Sequence, residues 1–196
     1  MNPDIEKIDY NLIRRLTKEA DKINTNFLCA GPRYLGVSSK THKQSNVLKK
    51  IAKINAINGA CMLFNKINFD NLKGFDEKFF LLFEENDICK RGNKNGFFSY
   101  QLNRVKIKHN PGNSVEYTSD NEKKKYENLR TGSFIKSKMY FFQKHYGTAF
   151  MLLYFIFFLI RIITKNFFLK HLSNKEKYNK NKIRIISIIN YFRKII

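Results

Sequence analysis

Three carboxylates, Glu84, Glu85 and Asp87, follow directly on the aromatic run Phe79-Phe80-Leu81-Leu82-Phe83, which is itself led in by Gly74-Phe75-Asp76-Glu77. A core segment would not concentrate acids at the end of such a run, and a surface segment would not carry the run. Carboxyl groups at the edge of an apolar wall have their pKa raised by desolvation, which suits a general base. On a helix, Glu84 and Asp87 share a face at i, i+3, and Asp87 can pair with Arg91 at i+4. The competing use of these acids is to complement a helix N-terminus, worth about 0.3–1 kcal/mol each.

The elements that must position them alternate between helix and strand. Asp9 reads as the N-cap of a helix over about 10–22, with Leu12, Ile13, Leu16 and Ala20 at helical spacing. Phe27-Leu28-Cys29-Ala30 reads as a short buried strand closed by Gly31-Pro32. A polar, basic loop over 33–50 follows, with His42 read as a solvated loop residue. Ile54 to Phe64 reads as strand interrupted by Asn58-Gly59-Ala60, and a glycine there marks a bulge or a close approach. A short helix over about 66–72 leads into Gly74. The acids open a second helix over about 84–94, which Asn95-Gly96 terminates. Two strands, about 97–101 and 104–109, end in His109-Asn110-Pro111-Gly112-Asn113-Ser114. The periodicity predicts an α/β domain.

Beyond 115 the character changes. Residues 119–145 read as a charged helix, and Tyr146 to Ile160 contains no charged side chain. Fifteen helical residues span about 23 Å against a hydrocarbon core of about 30 Å. With Arg161 snorkelling, the stretch reaches Thr164 and about 28 Å. This is either a short membrane-embedded helix or a hairpin-like insertion. In the tail, Arg184, Ser187, Asn190 and Lys194 recur at helical spacing opposite a face of isoleucines, behind Lys175, Lys177, Lys180 and Lys182. That composition fits a helix lying on anionic lipid, or one packing on the same domain.

With 196 residues, 43% hydrophobic and 19 of them Phe, the chain can bury a real core and is not a disordered protein. Its net charge of +21 invites a polyanionic partner, although abundant Lys, Asn, Ile and Phe together are also what an A/T-rich genome yields. The basic residues gather around the apolar helix and the tail, and no nucleic-acid-binding motif appears, so no nucleic acid is expected as partner. Cys29, Cys61 and Cys89 are odd in number, widely spaced and set among apolar residues. They read as buried thiols in a reducing compartment. The first residues, Met1-Asn2-Pro3-Asp4, carry no signal pattern.

Four blocks in order resemble family 2 glycosyltransferases, most closely the rhamnosyltransferase-like branch found in bacteria. They are Asn58-Gly59-Ala60-Cys61-Met62-Leu63, Gly74-Phe75-Asp76-Glu77-Lys78-Phe79-Phe80, Glu84-Glu85-Asn86-Asp87-Ile88-Cys89-Lys90-Arg91, and His109 with Gly112 and Ser114, spread over about 55 residues. Asn2-Pro3-Asp4 resembles a variant of the family's Asp-x-Asp turn. The resemblance implies the C-terminal portion of a GT-A domain over 1–114, followed by a helical connector over 115–145, an apolar membrane helix over 146–164 and a basic tail over 165–196. The family's nucleotide-binding half precedes the Asp-x-Asp turn, so an N-terminally truncated fragment is expected.

The resemblance further implies an inverting, metal-dependent transfer from a nucleotide diphosphate sugar to a glycan or lipid-linked acceptor in surface polysaccharide synthesis, at the cytoplasmic face of the cell membrane. Mg²⁺ or Mn²⁺ would neutralise the leaving pyrophosphate. Asp4 and His109 are the implied ligands, and imidazole favours Mn²⁺. Glu85 is the implied base, where many members carry Asp, with Glu84 and Asp87 beside it. Gly59 and Ala60 would let substrate approach the backbone, and Phe75 and Asp76 would shape the acceptor pocket. The alternative is a non-catalytic, basic membrane-binding remnant of such an enzyme.

Overall fold

The computed structural model describes residues 5, 10–23, 26–36, 44–45, 49–109, 115–171 and 175–195, with the backbone alone at 168–171. The chain divides into two compact units, Met1–Asp76 with Glu84–Glu116, and Glu77–Phe83 with Tyr117–Ile196.

The first unit is mixed α/β. A four-stranded sheet is formed by β1 (Phe27–Leu35), β2 (Ile51–Ile54), β3 (Leu63–Phe64) and β4 (Phe98–Lys108), in the order β2-β4-β1-β3. β1 and β4 run parallel, and the outer two strands are antiparallel to their neighbours. Ala30 and Tyr34 of β1 join a core with Leu12 and Leu16 of α1 (Tyr10–Ala20). Leu28 and Cys29 join a second core with Ile88 and Cys89 of α3 (Glu84–Lys94). The three thiols are free and buried, as expected.

Helix boundaries follow the sequence signals. α2 (Lys66–Asn71) starts at Asn65, whose side chain accepts from the Asn68 amide. α3 ends in a left-handed Gly96 (φ +78°), and the Phe97 amide reaches back to the Gly92 carbonyl at 2.9 Å, a Schellman closure.

Several strand boundaries depart from expectation. Gly31-Pro32 does not close β1. A Cβ on Gly31 would lie 2.7 Å from Ile57 Cγ2 and 2.9 Å from the Cys61 carbonyl oxygen, so the glycine is where segment 57–61 presses on the strand. Pro32 is accommodated because β3 pairs only as far as Ala30, and a register shift against β4 falls between Pro32 and Arg33. The expected strand over 54–64 is two short strands separated by an Asx turn, in which Asn58 Oδ1 accepts from the Ala60 amide at 2.9 Å. The two strands expected over 97–109 are one, β4, and the break between them is the bulge where Pro32 faces Leu102 but Arg33 faces Lys106. Arg33 to Leu35, expected in a loop, belong to β1, while Asp9 and His42 lie outside the described residues.

The second unit is helical: α4 (Asp120–Tyr146), α5 (Thr148–His171) and α6 (Lys175–Phe192). α4 begins with a variant of the capping box, in which Ser119 Oγ accepts from the Glu122 amide at 3.2 Å and Glu122 Oε2 accepts from the amide of Thr118, one residue before the cap, at 2.8 Å. Its core is Ile135 and Met139 from α4, Met151 and Phe155 from α5, and Ile188 from α6. The tail helix therefore packs within its own unit. Ser187, expected on a solvent face, is buried beside Gly132, whereas Ile186 and Ile189 point outward. Thr148–Phe167 is long and apolar enough to cross a membrane, and 17% of that stretch is buried.

Residues 77–83 form a strap that belongs to this helical unit. Phe79 packs on Tyr140 (4.8 Å between ring centres), Phe83 packs on Phe134 and Phe141, and Ser137 Oγ donates to the Leu81 carbonyl at 2.9 Å. The aromatic run thus packs on α4, where the sequence predicts an apolar wall for the acids of α3. Leu82 and Phe83 enter the left-handed region (φ +69° and +75°), a strained conformation for bulky side chains that tertiary packing must hold.

Candidate active site

Glu84 and Glu85 open α3, and the turn Asn58-Gly59-Ala60 meets Glu85 there. A methyl group built on Gly59 would sit 3.8 Å from Cβ and Cγ of Glu85 and 3.9 Å from its carboxyl carbon. Gly59 is exposed and Glu85 half-buried, so the carboxylate lies beside bare backbone that solvent, or a substrate, can reach. Asn86 Nδ2 donates to Glu85 Oε1 at 3.1 Å, which orients the carboxylate. The local cause is the Asx turn: Asn58 holds the Ala60 amide and presents Gly59 outward.

Asp87 is fully buried and accepts from Arg91 Nε at 2.8 Å. The same guanidinium donates through Nη1 to the Leu72 carbonyl (2.5 Å) and through Nη2 to the Gly74 carbonyl (2.6 Å). Asp87 and Arg91 together lash the turn before Phe75 to α3. Phe75 completes an edge-on aromatic trio with Phe64 and Phe69, centroids 5.4–5.6 Å away, and remains 41% exposed. Asp76, next in the chain, is half-buried. Of the expected acids, Glu84 and Glu85 stand at the helix start, Glu85 beside Gly59, and Asp87 serves as the anchor of Arg91. The i, i+4 spacing forecasts that pair, while the two carbonyl contacts of Arg91 join residues 17 and 19 positions apart and have no sequence signal.

From Gly59 a line of packed residues runs to His109. Ala60 and Cys61 are buried in the core that holds Tyr34, and burial lifts the Cys61 thiol from its ordinary 9.0 to about 11. Burial likewise pushes the Tyr34 hydroxyl up. The Tyr34 ring lies 5.6 Å from the His109 ring. His109 is 8% exposed and directly follows β4, where it forms an isolated backbone bridge with Ile5. Asp4 lies outside the described residues. Among the described residues, no group of three or more His, Cys, Asp or Glu side chains is arranged to hold a metal ion. Tyr34 was invisible as a site neighbour in the sequence, because only the sheet brings it to His109.

The fold and site together define a mixed α/β unit that sets a carboxylate against an exposed glycine turn, in one chain with a helical unit of which α5 is apolar. No protein-family model, no curated protein and no solved structure matches this chain.

Proposed function

We propose that the first unit is the acceptor-side portion of a GT-A-type, inverting glycosyltransferase, with Glu85 as the base that takes the proton from the acceptor hydroxyl. The observation that carries this reading is the packing of Gly59 against the Glu85 side chain, whose Cβ and Cγ lie 3.8 Å from where a Cβ on Gly59 would sit. Two of the sequence blocks that resemble the family, those carrying Gly59 and Glu85, thereby meet where the chemistry requires both a base and open backbone. Asp87, through Arg91, would hold the Phe75-Asp76 segment that flanks the acceptor. A divalent Mg²⁺ or Mn²⁺ held by Asp4 and His109 would supply the charge that the departing pyrophosphate needs. The donor would be a nucleotide diphosphate sugar and the acceptor a glycan or a lipid-linked glycan.

The helical unit supports a place at the cytoplasmic membrane face. Leu153, Phe157, Ile160, Ile163 and Phe167 of α5 are 49–69% exposed, whereas Ser133, Ser137, Asn181 and Ser187 are buried. In water each such apolar side chain forgoes roughly half of the about 1.5–3 kcal/mol that full burial gives. Small and polar residues inside with apolar ones outside is the distribution that suits lipid.

The test is release of nucleotide diphosphate and labelling of a lipid extract by membranes containing the chain, supplied with a panel of nucleotide diphosphate sugars and Mn²⁺. Glu85→Gln is expected to lower transfer by about 10²–10⁴-fold. Gly59→Ala, which meets only ordinary contacts, is expected to spare the fold and impair transfer. Unchanged turnover in Glu85→Gln would refute the base, and no turnover with any donor would favour the non-catalytic remnant.

A further inference from the structure

The helical unit carries a groove that the transfer reading does not use. It encloses about 410 Å³ between the strap and the outer faces of α4 and α6. Phe80, 77% exposed, and Leu129, 52% exposed, give it apolar walls, and the rings of Tyr140 and Tyr191 add to them. Lys78 and Lys136 line the same groove, and no acidic side chain does. Lys144 adds a third cation close by, with its ammonium 5.9 Å from the Tyr140 ring centre, the same distance as that of Lys78.

The groove is built rather than incidental. The strap that carries Lys78 and Phe80 is pinned to α4 by the Ser137–Leu81 hydrogen bond and by Phe79 and Phe83, so the cations and the exposed ring are held at one place. Tyr191 is fixed from the other side, its hydroxyl donating to Gln143 Oε1 at 2.8 Å. An apolar cleft with cations and no carboxylate among its lining residues fits an anionic amphiphile by charge complementarity. Ligand pockets span about 300–1,000 Å³, and this one lies near the lower end, which suits one alkyl chain better than the two of a bilayer phospholipid.

We propose that this groove binds a single-chain lipid phosphate, its phosphate on Lys78 and Lys136 and its chain along Phe80, Tyr140 and Leu129. Binding depends on the helical unit alone. A role for that lipid as the acceptor rests in addition on the transfer reading.

The experiment is titration of the full chain, held in phosphatidylcholine nanodiscs and without any sugar donor, with dodecyl phosphate, dodecanol, inorganic phosphate and phosphatidic acid. Dodecyl phosphate is expected to saturate at one per chain, with the other three at least about tenfold weaker. The Lys78→Gln/Lys136→Gln double variant should lose about tenfold in affinity, and Phe80→Ser should weaken dodecyl phosphate while leaving inorganic phosphate unchanged. Lys123→Gln, on the exposed start of α4, is the control. Equal binding by the double variant would overturn the proposal. So would phosphatidic acid binding as tightly as dodecyl phosphate, which would make the contact a general attraction to anionic lipid. Because no donor is present, loss of sugar transfer and loss of lipid binding are read separately.

Discussion

Replacing Arg91 by Met removes the guanidinium and keeps much of the aliphatic bulk. The ion pair it breaks is a buried one: Asp87 is 0% exposed at its side chain and Arg91 20%, with 2.8 Å between Nε and Oδ2. An exposed pair would be worth about 0–1 kcal/mol. Breaking a buried pair from one side costs about 3–5 kcal/mol, because the remaining charge stays desolvated. The carbonyls of Leu72 and Gly74 lose their donors in the same step, at a cost that overlaps with the first and does not simply add. The expected loss is therefore about 3–5 kcal/mol for the first unit. Urea unfolding followed by hydrogen exchange at the amides of α3 reads it, since exchange separates this unit from the helical one. Asp87→Asn in the Arg91→Met background removes the stranded charge and should recover about 1–3 kcal/mol. A loss below about 1 kcal/mol, the surface-pair value, would refute the clamp, as would a second substitution without recovery.

Gly31→Ala should lower stability by about 1–3 kcal/mol, since its Cβ would meet Ile57 Cγ2 at 2.7 Å and the Cys61 carbonyl at 2.9 Å, and a backbone oxygen cannot swing aside; a shift of the unfolding midpoint measures it, and an unchanged midpoint would contradict the close approach. The Cys61 thiol, raised by burial from 9.0 to about 11, favours the folded state in its protonated form. Its contribution is thus complete below pH 9 and lost between about pH 9 and 11, amounting to about 2–3 kcal/mol. Urea titrations across that range should show a falling stability whose slope is reduced in Cys61→Ser; it should not vanish, because Tyr34 and Cys29 are shifted the same way. For the membrane reading, the chain should stay in the pellet on alkaline carbonate extraction, and a variant with Asp at Leu153, Phe157 and Ile160 should leave it; the same partition for both would count against α5 as the anchor.

Local signals carried far in this chain. The acids and Arg91 at opposite ends of α3, with Asn95-Gly96 behind them, delimit that helix, because macrodipole complement and left-handed closure are properties of a few adjacent residues. The uncharged stretch after Tyr146 announced α5 in the same way, although the helix starts at Thr148, once Gly147 (φ +91°) has broken it from α4. α4 starts at Asp120, within a residue of the boundary expected at 119, where the Ser119 side chain caps it.

What adjacency could not encode was decided by tertiary contact. Gly31 looked like a terminator, since a glycine before proline ends most strands; only the approach of segment 57–61 shows that the missing Cβ makes room within one. The aromatic run before Glu84 was expected to wall the acids, yet its rings pack on α4, because Tyr140, Phe134 and Phe141 offer partners some fifty to sixty residues away. Residue types by themselves determined that Glu84, Glu85 and Asp87 open a helix. Their division of labour, with Glu85 beside Gly59 and Asp87 holding Arg91, was set by which face of α3 meets the sheet and which meets the turns, a property of long-range packing that no local spacing contains.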